Sequence, residues 1–233
     1  MATFVLVHGA WAGGIIWRPI AMALRSANHD VYTPTLTGLG ERRHLLNREI
    51  DLGTHVRDVL GVIDYEDLSN IVLVGHSYGG MVVTAVADAI PDRIASLVYL
   101  DAFVPENGQS LFSLVPAANR AQPLSAPGED WLTAPLPAEA FGNPSQRVRD
   151  FMARKGTPQP TACFSQVAKL TGGIERIRRR TYIYCNDPEP TVFTPLYEKL
   201  KNRPGWIART LRCSHFAQLD MPEELTALLK AAA

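Results

Sequence analysis

The stretch IVLVGHSYGGMVV, from Ile71 to Val83, decides the fold that this sequence predicts. It opens with four aliphatic residues, Ile71–Val74, which are typical of a short strand buried in a parallel sheet. It closes with small and aliphatic residues that continue to Ile90 and predict a helix. Ser77 stands between the two, inside the pattern G-x-S-x-G. A serine at such a corner is either a helix cap or a nucleophile.

The setting of Ser77 favours the nucleophile. A serine hydroxyl often accepts a hydrogen bond from the first turn of a helix, and glycines are common at tight corners. Strand, G-x-S-x-G and helix in direct succession are, however, the setting of a nucleophile elbow, a strained turn that exposes the serine hydroxyl above the sheet. Gly75 and Gly79 are then required, because a side chain at either position would collide with the neighbouring backbone. We predict that Ser77 is a catalytic nucleophile.

Short apolar runs alternate with helical patterns along the rest of the chain. This alternation predicts an α/β fold, in which a mostly parallel sheet of about six strands carries helices on both faces. With 233 residues, the chain is long enough for one sizeable domain, which we place over 1–233. The predicted strands are Thr3–Val7, Asp30–Thr33, Ile71–Val74, Ala95–Leu100, Thr181–Cys185 and Trp206–Leu211.

The alternation stops between residues 104 and 180. This segment holds nine of the 17 prolines together with several aromatic residues, and it is too apolar for a disordered linker. The sheet pattern resumes at Thr181. We therefore predict that residues 104–180 form a small helical cap, inserted into the domain and folded over the sheet.

Composition argues against several functional classes. The chain has 23 Lys plus Arg and 23 Asp plus Glu residues, so electrostatics give no reason to expect a nucleic acid or an anionic membrane as partner. No apolar run is long enough to span a bilayer, and the opening MATFVLVHG lacks the features of a signal peptide. Three cysteines without metal-ligand spacing indicate a reduced, cytoplasmic protein without a metal site.

A nucleophilic serine needs a base, which is normally a histidine oriented by a carboxylate. In enzymes with this elbow the chain order is nucleophile, acid, histidine. Of the six histidines only His215 follows Ser77, and it lies just beyond the predicted strand Trp206–Leu211. We predict that His215 is the base.

Two aspartates qualify as the acid, because each directly follows or nearly follows a predicted strand between Ser77 and His215. Asp187 lies in CNDPEP after TYIYC, and Asp101 follows ASLVYL. Each also has an ordinary interpretation, a turn residue for Asp187 and a backbone cap for Asp101. We prefer Asp187, because the acid usually follows the strand that precedes the histidine strand, and keep Asp101 as the alternative.

The oxyanion hole and the substrate pocket are predicted from neighbouring residues. One amide donor is that of Tyr78, which follows the nucleophile at a helix N-terminus, and the other is that of Ala10 in the loop HGAWAGG. This loop does not match the dinucleotide-binding pattern G-x-G-x-x-G. The aromatic residues expected to line an apolar pocket are Trp11, Phe103, Trp131 and Phe216.

Several segments together resemble a known family, the small α/β-hydrolases related to plant methyl esterases and hydroxynitrile lyases and their bacterial esterase relatives. The resemblance implies the α/β-hydrolase fold, Ser77, Asp187 and His215 as a triad, Ala10 and Tyr78 as oxyanion amides, no cofactor and often a homodimer. The segments that carry it are FVLVHGAWAGGIIW, TPTLTGLGERRHLL, VLVGHSYGG, LVYLDAFVP and SHF.

Two departures from that family decide the predicted reaction. Its hydroxynitrile lyases carry a lysine directly after the catalytic histidine, where this chain has Phe216, and commonly a threonine where this chain has Ala10. We therefore predict a serine carboxylesterase that acts on a small to medium hydrophobic ester, with charged esters disfavoured by the apolar cap. The alternatives are a hydroxynitrile lyase-type C–C lyase, a lactone hydrolase and a non-catalytic small-molecule receptor on the same fold.

Overall fold

The six predicted strands lie side by side in one parallel sheet. The computed structural model describes residues 1–124 and 128–233. Along the sheet the strands follow the order β2-β1-β3-β4-β7-β8, and every neighbouring pair is parallel. The strands are β1 Thr3–Val7, β2 Asp30–Tyr32, β3 Ile71–His76, β4 Ile94–Leu100, β5 Leu132–Thr133, β6 Gln159–Pro160, β7 Arg180–Cys185 and β8 Trp206–Leu211. The predicted α/β fold is confirmed.

Helices cover both faces of this sheet. One face carries α2, α3 and α7, and the other carries α1 and α9. The helices are α1 Arg18–Ser26, α2 Leu52–Tyr65, α3 Gly79–Ala89, α4 Leu111–Leu114, α5 Gln146–Lys155, α6 Ala162–Ser165, α7 Thr194–Leu200, α8 Ala217–Asp220 and α9 Pro222–Ala231. In the described part of the chain, no helix combines the length and the apolar character that crossing a membrane requires.

The core is split into two layers by the sheet, because successive side chains of a strand point to opposite faces. In β1, Val5 and Val7 pack under α2 and α3, whereas Phe4 and Leu6 pack under α1 and α9. All six residues of β3 are buried, since this strand lies between β1 and β4 with helices on both sides. Burial on both faces explains why Ile71–Val74 is a continuous apolar run rather than an alternating one.

The segment between β4 and β7 adds no strand to the main sheet in its described residues. It contains α4, α5, α6 and a small antiparallel pair, β5 with β6. Trp11, in the loop after β1, joins this segment to the sheet edge. Its indole Nε1 donates to the Thr133 carbonyl at 3.1 Å, and its amide donates to Gln159 Oε1 at 3.0 Å. We propose that residues 104–180 act as a cap over the sheet.

Three glycines let the elbow form at the start of α3. A Cβ on Gly75 would lie 2.7 Å from the Gly79 carbonyl oxygen, and one on Gly79 would lie 2.7 Å from the His8 carbonyl oxygen. A Cβ on Gly80 would overlap with the carbonyl oxygen of Phe103, which follows β4. The helix therefore approaches the backbone of its neighbours more closely than any residue with a side chain permits.

Gly80→Ala should destabilise the protein by about 3 kcal/mol or more, because the methyl group forces α3 away from Phe103. Gly61→Ala is the matched control, since Gly61 is exposed in α2 and nothing lies within 4 Å of the position that a Cβ would take there. Alanine at this site should stabilise the protein by about 0.5–1 kcal/mol, the usual gain over glycine in a helix interior. Urea unfolding measures both changes, and equal midpoints for the two variants would contradict the steric argument.

Candidate active site

Ser77 occupies the sharp turn between β3 and α3. Its φ angle is 54°, in the left-handed region that non-glycine residues rarely adopt. Three backbone hydrogen bonds hold this conformation: the Ser77 amide donates to Leu100, and the Ser77 carbonyl accepts from Gly80 and Phe103 at 2.9 and 3.2 Å. A left-handed serine costs of order 1–3 kcal/mol, and it persists because these neighbours impose it. The turn presents the Ser77 side chain to a cavity above the sheet.

His215 lies in the loop between β8 and α8, and it contacts a carboxylate. Its Nδ1 donates to Oδ2 of Asp101 at 2.6 Å. Asp101 directly follows β4, with a φ angle of 41°, and its second oxygen accepts from the Cys185 amide at 3.1 Å. Both side chains are almost fully buried, with relative exposures of 5% for His215 and 1% for Asp101. A buried carboxylate in this position is paired at both oxygens, as burial of a charge requires.

The preference for Asp187 as the acid is wrong in this structure. Asp187 is half-buried, and its Oδ1 accepts from Nδ2 of Asn143 at 3.2 Å. Its amide donates to the carbonyl of Cys213 at 3.1 Å, which fixes it as a turn residue at the edge of the site. The alternative, Asp101, is the carboxylate that accepts the hydrogen bond from His215. A signal was present in the sequence, since Asp101 interrupts the apolar run LVYLDAFV, where an unpaired carboxylate would be costly.

Burial sets the protonation of the histidine–aspartate pair. It lowers the pKa of His215 to about 3 and raises the pKa of Asp101 well above its usual range, because each charged form loses water. The hydrogen bond from Cys185 opposes the second shift by stabilising the carboxylate. At neutral pH His215 is therefore neutral, and with Nδ1–H directed at Asp101 its Nε2 is left as a proton acceptor.

Two phenyl rings enclose the His215 imidazole. Phe141 of the cap segment lies 5.1 Å from it, and Phe193 lies 5.2 Å from it on a nearly parallel plane, with interplanar angles of 14° and 8°. The backbone is also fixed: the His215 amide donates to the Phe141 carbonyl at 3.2 Å, and His76 Nε2 donates to the His215 carbonyl at 2.9 Å. The orientation of the imidazole is therefore set by two stacked rings and by its own backbone.

The two proposed oxyanion amides come from different elements at the same cavity. Tyr78 directly precedes α3, and Ala10 lies in the loop after β1, and both line the cavity beside Ser77. In the described part of the chain neither amide donates to a protein acceptor. Buried His8 holds the loop: its Nδ1 donates to the Gly9 carbonyl at 2.7 Å and its Nε2 accepts from Leu36 at 3.1 Å. Burial lowers the pKa of His8 to about 4, so this bridging imidazole stays neutral.

The cavity that Ser77 faces has a volume of about 420 Å³ and a mainly aromatic and aliphatic wall. Two of the four predicted pocket residues, Trp11 and Phe103, line it. The aromatic wall also includes four rings that were not among the predicted pocket residues, and three of them belong to the cap segment. These rings are Phe112, Phe141, Phe164 and Phe193.

The other two predicted pocket residues lie elsewhere. Trp131 lies outside this cavity, because its indole Nε1 donates to the Gly128 carbonyl at 3.0 Å and the Arg48 guanidinium covers its ring. Phe216 lines a small adjoining pocket together with Ser77 and His215 rather than the 420 Å³ cavity. Its ring centroid lies 6.0 Å from that of His76 and 5.6 Å from that of Phe141. No group of three metal-ligating side chains occurs among residues 1–124 and 128–233.

Comparison with known proteins places this site in a family. The Alpha/beta hydrolase family pattern matches residues 4–228. The "Carbendazim hydrolyzing esterase" of Nocardioides sp. (strain SG-4G) is 44% identical over 241 aligned residues, which cover 99% of both chains. The "Polyneuridine aldehyde esterase" of Rauvolfia serpentina is 26% identical, and the alignment covers 95% of this chain and 92% of that protein.

A solved structure agrees with this assignment. An extracellular alpha/beta-hydrolase from a Paenibacillus species, described as sharing structural and functional homology with tobacco salicylic acid binding protein 2, superimposes with a TM-score of 0.83. It is 26% identical, and the superposition covers 100% of this chain and 99% of that one. With its sheet order, its elbow at Ser77 and these similarities along its length, the chain belongs to the alpha/beta hydrolase family.

Proposed function

We propose that this protein hydrolyses carboxylic esters through an acyl-enzyme on Ser77. One observation carries the proposal: His215, whose Nδ1 donates to Asp101 at 2.6 Å, lines the same small pocket as Ser77, a serine held in a nucleophile elbow. The esterases among its relatives make a carboxylesterase-type serine hydrolase the expected activity of the chain. We assign Ser77 as nucleophile, His215 as base and Asp101 as acid.

The reaction follows from these positions. His215 Nε2 takes the proton of the Ser77 hydroxyl as its oxygen attacks the ester carbonyl carbon. The amides of Ala10 and Tyr78 hold the negative oxygen that develops, and one such donor contributes about 3 kcal/mol to the transition state. The tetrahedral intermediate then collapses, and the alcohol leaves with the proton from His215. Water, deprotonated by the same imidazole, attacks the acyl-enzyme and restores Ser77.

The lining of the cavity supports hydrophobic substrates. Burying an aryl or medium-chain group against rings such as Phe112 and Phe164 contributes roughly 25 cal/mol for each Å² removed from water. The name of the relative from Nocardioides suggests carbendazim as a substrate to test. It is a methyl carbamate of a flat heteroaromatic ring, so its carbonyl is open to the same attack.

A lyase reaction has less support at this site. Release of cyanide calls for a positive group next to the histidine, and the residue after His215 is Phe216, which is buried against other rings. A non-catalytic receptor would have no use for a serine held at a φ of 54° or for a paired histidine behind it. Lactone hydrolysis uses the same steps as ester hydrolysis and remains an alternative substrate class.

Two further expectations stay predictions. We infer a cytoplasmic location from three free and buried thiols, those of Cys163, Cys185 and Cys213, since oxidising compartments favour disulfides. A homodimer is expected from the family resemblance alone.

A fluorophosphonate probe should label the wild-type protein at Ser77, and Ser77→Ala should abolish both labelling and ester hydrolysis. The reason is that this hydroxyl lies in the elbow and lines the same small pocket as His215. Ser69→Ala is the control, because Ser69 is exposed in the loop after α2, and it should behave like wild type. Mass spectrometry of the labelled peptide locates the site. Labelling that persists in Ser77→Ala would disprove the assignment.

Asp101→Asn should lower kcat by about 10³–10⁴-fold, because an asparagine amide favours the wrong tautomer of His215. Asp187→Asn should change kcat by less than about tenfold, because Asp187 contacts Asn143 instead. Steady-state kinetics measure both variants, with circular dichroism to verify folding. The opposite ranking would return the acid role to Asp187.

The purified protein should hydrolyse p-nitrophenyl butyrate and leave mandelonitrile intact, since the oxyanion amides suffice for an ester and no cation follows His215. Carbendazim, assayed alongside, tests the flat aromatic substrate. Release of p-nitrophenol and of benzaldehyde is measured spectrophotometrically, with Ser77→Ala as the blank. Benzaldehyde release together with inert esters would replace the esterase assignment by the lyase.

A further inference from the structure

Arg120 is the one charged side chain that lines the 420 Å³ cavity among the described residues. It follows a short helical turn, Ala117–Asn119, in the cap segment and is half-buried. The rest of the wall is largely aromatic and aliphatic. In ligand cavities of this kind, a few polar groups usually fix the orientation of the ligand.

The cavity wall itself holds the Arg120 guanidinium. Its Nε donates to the Val115 carbonyl at 3.1 Å, and its central carbon lies 5.8 Å from the centroid of the Phe112 ring. Val115 and Phe112 both line the cavity as well. No carboxylate of the described residues forms an ion pair with Arg120, whereas Arg42, for instance, pairs with Asp58. A guanidinium has five N–H donors, and the four on the terminal nitrogens of Arg120 donate to no acceptor in residues 1–124 and 128–233, so they can face a ligand.

The solvent exposure of the lining residues distinguishes an inner end of the cavity from an outer edge. Ser77, Tyr78 and Trp11 are buried and form its inner end, whereas Ala118 and Asn119 are exposed and form its outer edge. Arg120 belongs to the outer part by sequence and by exposure. A substrate with its ester carbonyl at Ser77 therefore extends along the rings toward Arg120.

We propose that Arg120 binds a carboxylate at the far end of the substrate, so that the preferred substrates are half-esters: an apolar, commonly aromatic body with an ester at one end and an acid at the other. This inference rests on the proposed esterase function and names its substrate class. Guanidinium and carboxylate match in planar, two-bond geometry. An anionic group in an apolar cavity is costly when unpaired, and Arg120 provides its partner. The sequence predicted that the apolar cap disfavours all charged esters. With Arg120 in the cavity wall, we expect this penalty for cationic esters and not for anionic ones.

The test uses two matched pairs, each comparing a carboxylate with its neutral carboxamide. They are 4-(butyryloxy)benzoate with 4-(butyryloxy)benzamide, and monomethyl terephthalate with methyl 4-carbamoylbenzoate, so that either half of the ester can carry the acid. In at least one pair, wild type should favour the carboxylate. Arg120→Gln should lower kcat/KM for that carboxylate about 10–100-fold, mainly through KM, and change the carboxamide less than about threefold. The kcat/KM of Arg120→Lys for that carboxylate should lie between the values for wild type and Arg120→Gln.

Arg154→Gln is the control, because Arg154 is exposed on α5 and does not line the cavity. It should match wild type on all four esters. Wild type gives an independent measurement, since rising salt should lower kcat/KM for the carboxylate and not for the carboxamide. Equal losses on both members of each pair in Arg120→Gln, or wild-type turnover of the carboxamides alone, would overturn the proposal.

Binding separates this proposal from the esterase function. Ser77→Ala cannot form an acyl-enzyme, so calorimetry with that variant measures the affinity for each half-ester without turnover. The carboxylate should bind more tightly than the carboxamide, and the double variant with Arg120→Gln should lose the difference. If neither ester is ever hydrolysed but this difference is present, the esterase function fails and the carboxylate site stands. If the esters are hydrolysed and the difference is absent, the carboxylate site fails alone.

Discussion

A single buried hydrogen bond, from His215 to Asp101, organises the carboxyl edge of the sheet. It joins the loop after β8 to the end of β4, across the intervening strand β7, whose last residue, Cys185, donates its amide to the same carboxylate. Such a pair is tolerated inside a protein only when its polar atoms are satisfied, and here both carboxylate oxygens are. The position of His215 relative to Ser77 therefore depends on the register of the neighbouring strands β4, β7 and β8.

The elbow places Ser77 at the same carboxyl edge of the sheet, through close packing rather than through a hydrogen bond between side chains. There the constraint is steric: α3 starts so close to the backbone of β1 and β4 that only Gly79 and Gly80 fit. The strain at Ser77 is maintained by hydrogen bonds to residues at the end of β4 and just beyond it. β4 thus supports both Ser77 and Asp101, which explains why the stretch LVYLDAFV combines an apolar strand with a buried aspartate.

The sequence was sufficient for the features that local pattern and chain order determine. Alternating apolar runs predicted the six parallel strands, the G-x-S-x-G corner predicted the sharp turn at Ser77, and chain order selected His215, which lines the same small pocket as Ser77. Strand order alone did not separate Asp101 from Asp187, because both follow strands that end at the same edge of the sheet; the one further signal was the apolar run around Asp101. The choice is decided by side-chain direction: Asp101 turns inward at a φ of 41°, whereas Asp187 is held in an outer turn. The pocket was predicted only in part, because its wall depends on how the cap segment packs.

The stacking of Phe141 on His215 links the shape of the cavity to the environment of the imidazole. Phe141 lines the cavity that we propose as the substrate site, and the same ring stacks on the imidazole of His215, which we propose as the base. A replacement that enlarges the cavity at this position admits water to the base as well as a bulkier ligand to the cavity. Under the proposed mechanism, substrate range and catalytic rate are therefore coupled at Phe141, whereas changes at the outer wall of the cavity leave His215 untouched.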